Sequence, residues 1–480
     1  MAFSGAHAPP ERQYEQGYQE GSDPMTDKAT VVADIETAPS VRGEIGPETV
    51  EAIVAERGEP AWMAARRREA WEVYRETPMP TTRTEEWRYT DLAKIGWQEL
   101  AMRDPSPPSP VGSRNEIPAE IAAVFALGEE SAAWAVQQNG VQVWSEVPEE
   151  LRAKGVLFLD FATAVAEHPE ILQTHFMTRA VPPTFGKLAA LHGAFVSGGT
   201  VVYVPDGVEL ELPLTVYRWM DLEGAALFPH TLLIAGANSK VTYVEECASP
   251  SRAQDGLAMN CGVAEIIAGE GAQVRYTIVQ QWGRHVFHYQ ANRVFAGKDS
   301  RVQTVLVTLG AKVARSDVEC DLQNPGAESE MLGIYLADDH QHFDHYTYQL
   351  HQAPSARSDL LYKGALKDRS RSVFRGMIRV MKGAQQTDAY QTNRNLILSE
   401  DAHADSLPNL EIEADDVRCS HAATIGQQDE EQLFYLMSRG LTREKAVKLI
   451  VMGFLEEVLG RIPVEGLHKR LSAVIERKLG

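Results

Sequence analysis

The sequence predicts a mainly β protein, a β-helix with helical segments at both ends. Between residues 195 and 425 many short runs rich in β-branched and apolar residues follow one another without helices between them. Small polar turns such as 236–239 and 297–300 separate the runs and recur about every 30 residues, a length that suits one coil of a solenoid. A sandwich of antiparallel strands has the same local pattern, but the turn spacing favours the solenoid.

The rest of the chain divides around this core. Residues 1–45 are polar and lack periodicity, which predicts a disordered tail, and Met25 is an alternative start. Residues 46–180 are expected to form a helical and mixed N-terminal domain, 181–426 the β-helix core, and 427–480 a helical C-terminal domain.

Helix signals support both flanking domains. Pro47 suits the first position of a helix that Gly58 ends, and Thr442 is a predicted N-cap near the C-terminus. A solenoid exposes unpaired strands at its ends, and we expect the terminal helices to cover them.

Composition excludes several function classes. Of 480 residues 44% are hydrophobic, and 46 Lys and Arg against 67 Asp and Glu give a net charge of -21. An acidic surface argues against nucleic-acid binding. The sequence contains neither a signal-like N-terminus nor a run of about 18 apolar residues, so we expect a cytoplasmic protein without a membrane span.

Enzyme signatures are missing from the sequence. It contains no GxxxxGK[ST] phosphate loop, no GxGxxG, no GxSxG and no HExxH motif. The four cysteines form no CxxC pair, so neither a zinc knuckle nor a redox dithiol is expected. We therefore expect that the chain neither hydrolyses ATP nor binds a nucleotide by any of these routes.

A histidine-rich stretch is the first candidate site. His340, His342 and His345 lie close together, and Asp344 offers an oxygen ligand. On a strand, His340 and His342 would project to the same face. Such a group could hold zinc or iron, although a solvated polar ladder on the outside of a strand is the more common arrangement.

Cys419 and His421 form the second candidate site. On an extended backbone their side chains point to the same face, and a thiolate beside an imidazole can bind iron or accept sulfur. A free cysteine beside a buried histidine is the commoner explanation for such a pair taken alone.

The residues around this pair resemble those of a known family. The run EIEADDVRCSHAATIGQQDEEQLFYLMSRGL (411–441) closely resembles the signature of the SufB/SufD family of iron–sulfur cluster assembly proteins. The segments AFVSGGTVVYVPDGVELELPL (194–214), LYKGALKDRSRSVFRGMIRV (361–380) and AQQTDAYQTNRNLILSE (384–400) are similar to the β-helix of that family. The resemblance extends from about residue 185 to the C-terminus.

Within this family the sequence resembles the SufD-type members. SufB-type chains usually have an acidic residue after the cysteine and Thr-Thr-Ser after the histidine. Here Ser420 follows the cysteine and residues 424–429 read TIGQQD, while EWRYTD (86–91) resembles the SufD N-terminal domain. Ala422 departs from the glycine that many members carry.

The resemblance implies a right-handed parallel β-helix between helical domains, within a complex of a SufB-type subunit and two copies of the ATPase SufC. It implies that the β-helices of the SufB-type and SufD-type subunits pair edge to edge and that the C-terminal helices dock SufC. His421, with Cys419 beside it, would take part at the interface where a transient iron–sulfur cluster forms and iron is acquired.

Three alternatives stay open on the sequence. The chain could be a SufB-type subunit that carries the cluster itself, or a β-rich metalloenzyme that uses His340, His342 and His345. The sequence also leaves open whether a homodimer forms when no SufB-type subunit is present.

Overall fold

The computed structural model describes residues 45–104, 107–125, 131–250, 256–462 and 464–479. The predicted tail and Met25 therefore lie outside the described residues, except for Ile45. The N-terminal elements are α1 (Pro47–Arg57), α2 (Ala61–Glu76), α3 (Ala119–Phe125), β1 (Ala133–Gln138), β2 (Val141–Glu146), α4 (Glu149–Ala153), β3 (Leu157–Asp160), α5 (Phe161–Glu167), α6 (Pro169–His175) and α7 (Lys187–Phe195).

Seventeen further strands and three helices follow in the described residues. The strands are β4 (Gly198–Val204), β5 (Leu214–Trp219), β6 (Ala226–Leu227), β7 (Pro229–Ala235), β8 (Lys240–Ala248), β9 (Ala258–Ala268), β10 (Gln273–Gln281), β11 (Val286–Ala296), β12 (Arg301–Thr308), β13 (Val313–Leu322), β14 (Glu328–Ala337), β15 (His342–His351), β16 (Arg357–Leu366), β17 (Arg371–Val380), β18 (Thr387–Ile397), β19 (His403–Ile412) and β20 (Val417–Gln427). The helices are α8 (Glu430–Ser438), α9 (Arg443–Leu459) and α10 (Glu465–Leu479).

The strands coil into a parallel β-helix of about eight turns, which confirms the predicted fold class. One sheet has the order β2-β1-β5-β8-β10-β12-β14-β16-β18-β20, and the other runs β19-β17-β15-β13-β11-β9-β7-β4-β3 with β6 beside β9. Pairing is antiparallel between β1 and β2 and between β3 and β4, and parallel for the other described strand pairs. Because the repeated coils pair in parallel, the alternative of an antiparallel sandwich was wrong.

Stacked columns of similar side chains fill the interior. Val241, Val274 and Val302 are in register on β8, β10 and β12 and are all buried. The rings of Tyr243 and Tyr276 stack beside them with centroids 5.7 Å apart. Burial of each such side chain contributes roughly 1.5–3 kcal/mol, so each coil depends on the coils that lie on either side of it.

One corner of the coil uses a residue in the left-handed conformation on each turn. Asn238, Gly271, Asp299 and Gly326 occupy equivalent positions with φ of 53°, 67°, 53° and 71°. Asn, Asp and Gly are the residue types that adopt this conformation at least cost. The recurring turns of the sequence are therefore the corners of the solenoid.

A buried ion cluster ties the N-terminal region to the outer face of the β-helix. The Arg315 guanidinium on β13 lies 2.8 Å from an Asp344 carboxylate oxygen and 2.9 Å from one of Asp317, and it donates to the Glu86 carbonyl at 2.6 Å. It also lies over the Trp87 ring, 4.2 Å from the ring centroid. The EWRYTD segment is thus fixed across strands β13 and β15.

The C-terminal helices pack along the outer face of the first sheet. Val451 and Leu455 of α9 and Leu471 of α10 are buried against Leu332 and Leu361 of the strands beneath. The predicted N-cap Thr442 is confirmed, since its hydroxyl oxygen accepts from the Lys445 backbone N–H. Pro47 at the start of α1 and left-handed Gly58 after its end are confirmed as well.

The helices do not cover the last coil, and this expectation was wrong. Helix α9 contacts β14 and β16 on the side of the solenoid, whereas β20 and β19 stand at the ends of their sheets. An amphipathic pattern shows that one helix face is buried, but it does not specify which surface buries it. Strands β19 and β20 therefore form a free edge in the described structure.

Replacing Arg315 by Met should lower the free energy of unfolding by about 3–5 kcal/mol, because Asp317 and Asp344 would remain buried without their cation. Urea unfolding followed by circular dichroism measures the change. Arg301→Met is the matched control, since its ion pair with Glu328 is exposed and should contribute less than about 1 kcal/mol. Equal effects of the two substitutions would contradict this account of the cluster.

Candidate functional site

Strand β20 carries both Cys419 and His421 and is the last strand of its sheet. Its inner side pairs with β18, so that Cys419 lies opposite Ala389 and His421 opposite Gln391. No described strand pairs with its outer side. The pair from the sequence therefore lies on the free edge of the β-helix.

The direction of the backbone groups follows from the register. The Asp388 N–H donates to the Ala356 carbonyl, so the backbone groups of Asp388 point toward β16. The backbone groups of the next residue, Ala389, therefore point toward β20. In a regular parallel ladder successive residues direct their N–H and C=O groups to opposite sides. The backbone groups of Cys419 and His421 consequently point away from β18, to the unpaired side.

The side chains of the pair line the open end of the β-helix, which we call its mouth. Cys419 packs against a small apolar cluster that includes Ile378 and Ala389, which places its side chain on the interior side of the strand. His421 follows two residues later on the same face and is exposed. The structure thus brings thiol and imidazole to one surface, as the sequence predicted.

The environment of Cys419 keeps its thiol protonated. Partial burial raises its pKa and the negative charge of Asp388 adds to the increase, while a hydrogen bond with the Ala389 backbone opposes it. Thiolate is the form that binds metal. Cys419 therefore needs a bound cation or a partner group before it becomes a ligand.

Exposed apolar side chains surround the mouth. Ile412 on β19 is 40% exposed and Ile425 on β20 is 50% exposed. Large apolar side chains that are exposed on free edge strands are typical of a surface that another protein covers.

The three histidines of the other candidate site are separated. His340 lies in a turn, where its ring contacts the Asp339 carboxylate at 2.6 Å, because β15 begins only at His342. The expected strand pair of His340 and His342 was therefore wrong. His342 contacts the Thr90 hydroxyl at 3.0 Å beneath the N-terminal segment.

His345 faces the opposite side of β15, inside the coil. It contacts the Thr308 hydroxyl at 3.1 Å and stacks on Tyr335 at 4.7 Å. Burial lowers its pKa to about 4, which keeps it neutral. Asp344, the suggested oxygen ligand, is already bound to Arg315. Among the described residues no group of three or more His, Cys, Asp and Glu side chains is arranged to hold a metal ion.

A second exposed surface lies on α8 and was missed by the sequence analysis. Phe434 is 74% exposed, Tyr435 and Met437 are exposed beside it, and Leu433 is the buried residue of the helix. Leu449 of α9, the next helix along the chain, is also exposed. The signal was the run LFYLM, which holds more apolar residues than one face of a short helix can bury.

Comparisons with known proteins agree with this architecture. The family model described as "SUF system FeS cluster assembly, SufBD core domain" matches residues 218–454, and the "SufBD protein N-terminal region" model matches 49–216. The chain belongs to the SufBD family. Among the described helices, none is long and apolar enough to cross a membrane.

Curated relatives cover nearly the whole chain. The iron–sulfur cluster assembly protein SufD of Bacillus subtilis is 32% identical over 91% of this chain and 98% of its own length. SufB of the same organism is 31% identical over 90% and 92%. A SufBD family protein of Staphylococcus epidermidis is 32% identical over 85% and 87%. The two B. subtilis proteins are about equally similar to this chain, so sequence identity does not decide between the SufD type and the SufB type.

Alkylation of the native chain should modify Cys419 alone, because Cys247, Cys261 and Cys320 are buried. The rate should still increase above pH 9, since burial raises the pKa of the Cys419 thiol above its ordinary value of 9.0. Intact-mass spectrometry after iodoacetamide treatment measures both, with Cys419→Ser as the unreactive control. A rate that levels off below pH 8 would contradict the protonated thiol.

Proposed function

We propose that this chain is a SufD-type scaffold subunit of an iron–sulfur cluster assembly complex. It pairs with a SufB-type subunit through the free edge of its β-helix and docks a SufC-type ATPase on its C-terminal helices. The observation that carries the proposal is the position of Cys419 and His421 on the edge strand β20, whose outer side pairs with no described strand.

Strand addition supports the pairing step. The outward N–H and C=O groups of β20 can accept a further strand, and main-chain hydrogen bonds then give affinity while neighbouring side chains give specificity. The exposed Ile412 and Ile425 supply apolar area beside them. Water would be excluded from the mouth, where His421 and Cys419 lie. When no SufB-type subunit is present, a second copy of this chain could occupy the same edge.

The chemistry of the site suits transient binding of a cluster as cargo. A neutral imidazole binds iron directly, and a bound metal lowers the pKa of a thiol enough to make it a ligand. Two donors from one chain leave the remaining iron positions to the partner. We infer that His421 is the main ligand from this side and that Cys419 assists, at an interface that opens again to release the product.

The chain's own part is non-catalytic. Its sequence has no phosphate loop, so we assign the nucleotide to the partner ATPase and the conformational work to that partner.

The exposed apolar surface of α8 supports docking of the ATPase on this helix, since Phe434 and Tyr435 are residue types that contribute strongly to interfaces. Helix α8 follows β20 after two residues, so a partner on α8 is placed next to the edge strand. A cytoplasmic location remains part of the same proposal.

A SufB-type role is the second candidate, because the SufB relative is nearly as similar as the SufD relative. Anaerobic reconstitution of the isolated chain separates the two roles. Stoichiometric cluster binding by this chain alone would favour the SufB-type role, whereas a SufD-type subunit should bind cluster only within the complex. His340, His342 and His345 face different surroundings, and we base no metalloenzyme proposal on them.

Replacing His421 by Ala should leave folding and co-purification with the SufB-type and SufC-type partners unchanged, because the side chain is exposed. The cluster content of the complex should fall about tenfold or more, since loss of a ligand costs at least as much as loss of a group that supports one. Anaerobic absorption spectroscopy of the purified complex measures this. Ser420→Ala, an exposed neighbour on the other face of β20, is the control.

Wild-type cluster content in the His421 variant would show that this histidine is not a cluster ligand. Absence of both partners after purification of the wild-type chain under reducing conditions would reject the scaffold role itself.

Replacing Phe434 by Asp should weaken binding of the SufC-type ATPase about tenfold, which corresponds to about 1.4 kcal/mol, without unfolding the chain, because the ring is 74% exposed. Isothermal titration calorimetry with the purified ATPase measures the affinity. Leu212→Asp is the control, since Leu212 is also an exposed apolar residue but precedes β5, far along the chain from α8. Equal affinities of the two variants would place the docking surface elsewhere.

A further inference from the structure

Gln391 forms a polar bridge across the β-helix core, one coil below the mouth. Its side chain is fully buried on the interior side of β18, and its amide nitrogen donates to the Asn409 carbonyl on β19 at 3.0 Å. A carbonyl can only accept, so this bond establishes which end of the amide is nitrogen. The amide oxygen Oε1 is buried, and no described residue donates a hydrogen bond to it.

On the opposite sheet, Gly376 leaves room for this amide because it has no side chain. A Cβ atom on Gly376 would lie 2.1 Å from Gln391 Oε1, so a side chain at that position cannot coexist with the observed amide. Glycine on β17 thus leaves the space that the Gln391 amide occupies. The position of Oε1 is therefore a built feature of the last two coils.

His421 is the residue next to Gln391 on the edge strand. The two residues are partners in the β18–β20 register, and their side chains lie on the same interior face. Neighbouring strands are about 4.8 Å apart, so the backbones of His421 and Gln391 are separated by one strand spacing. The His421 ring is exposed in the isolated chain.

We propose that Gln391 is a positioning residue for His421, one that selects the tautomer of its imidazole. Covering the mouth excludes water, and the His421 ring N–H then donates to Gln391 Oε1. The other ring nitrogen keeps its lone pair and faces the interface. The inference rests on the proposed function, because it assigns Gln391 to the same site.

Physical chemistry favours this arrangement. A buried acceptor without a donor costs about 1–3 kcal/mol, so a donor that reaches Oε1 is retained. A histidine that binds a metal usually donates its second ring N–H to a carbonyl or carboxylate, which fixes both tautomer and orientation. Gln391 can supply that carbonyl without introducing a charge.

The tautomer of His421 tests the inference directly. The metal-free complex with the SufB-type and SufC-type partners is prepared with ¹⁵N-histidine in this chain only and studied by magic-angle-spinning NMR, with the His421 signals assigned by their loss in His421→Ala. We expect one tautomer to predominate in the wild-type complex. In Gln391→Met the tautomer ratio should fall about fivefold, equivalent to about 1 kcal/mol for one hydrogen bond.

Two further variants make the test specific. Gly376→Ala should reproduce the fall because its Cβ displaces the amide, and it provides an independent measurement if Gln391→Met folds poorly. Gln137→Met is the matched control, since Gln137 is a similarly buried glutamine on β1 whose amide also donates to a backbone carbonyl, that of Gly199, far from the last coil. It should keep the wild-type ratio.

The outcomes separate the two proposals. A wild-type tautomer ratio in folded Gln391→Met and Gly376→Ala complexes would overturn the role of Gln391 and leave the scaffold role intact. A chain that forms no complex would overturn both.

Discussion

The parallel register of the β-helix is the constraint on which the rest of the structure depends. Each coil forms hydrogen bonds with the backbone of the previous coil and buries its side chains, and this repeats up to the last coil. The last coil has no successor, so one side of β19 and one side of β20 keep unpaired hydrogen-bonding groups. A solenoid cannot avoid such an edge; it can only cover it or use it.

This chain leaves the edge open and concentrates its distinctive residues there. Cys419, His421 and Ile425 lie on β20, and Gln391 spans the core one coil below. The C-terminal helices are anchored elsewhere, on the flank of the first sheet, through apolar contacts and the Lys363–Glu457 ion pair at 2.5 Å. That division leaves the edge accessible while α8, joined to β20 by two residues, presents a separate apolar surface.

Much of this could be predicted from the sequence because the solenoid corners have specific chemical requirements. Asn238, Gly271 and Asp299 mark turns that only a few residue types tolerate, and strand periodicity placed Cys419 and His421 on one face. Periodicity also puts His342 and His345 on opposite faces of a strand, but it does not tell which face is inside, so the burial of His345 could not be predicted. Strand β15 begins only at His342, because the residues before it form a turn, and the local sequence pattern did not predict this start.

What the sequence could not supply was the result of long-range packing. The open edge follows from where α9 and α10 pack, and the role of Gln391 follows from a space at Gly376 on another strand. Both involve residues distant in sequence, and neither leaves a local pattern. The resemblance to the SufBD family supplied the functional context, which the family models and relatives confirm at the level of the family.

Residue-resolved hydrogen exchange along β20 tests the central claim that this edge receives a partner strand. In the isolated chain the register predicts alternation, with protected N–H groups on even-numbered residues that face β18 and fast exchange on odd-numbered residues that face outward. On assembly with the SufB-type subunit, the amides of Cys419, His421, Ala423 and Ile425 should become protected while their neighbours change little. Continued fast exchange of these four amides in the assembled complex would contradict the account.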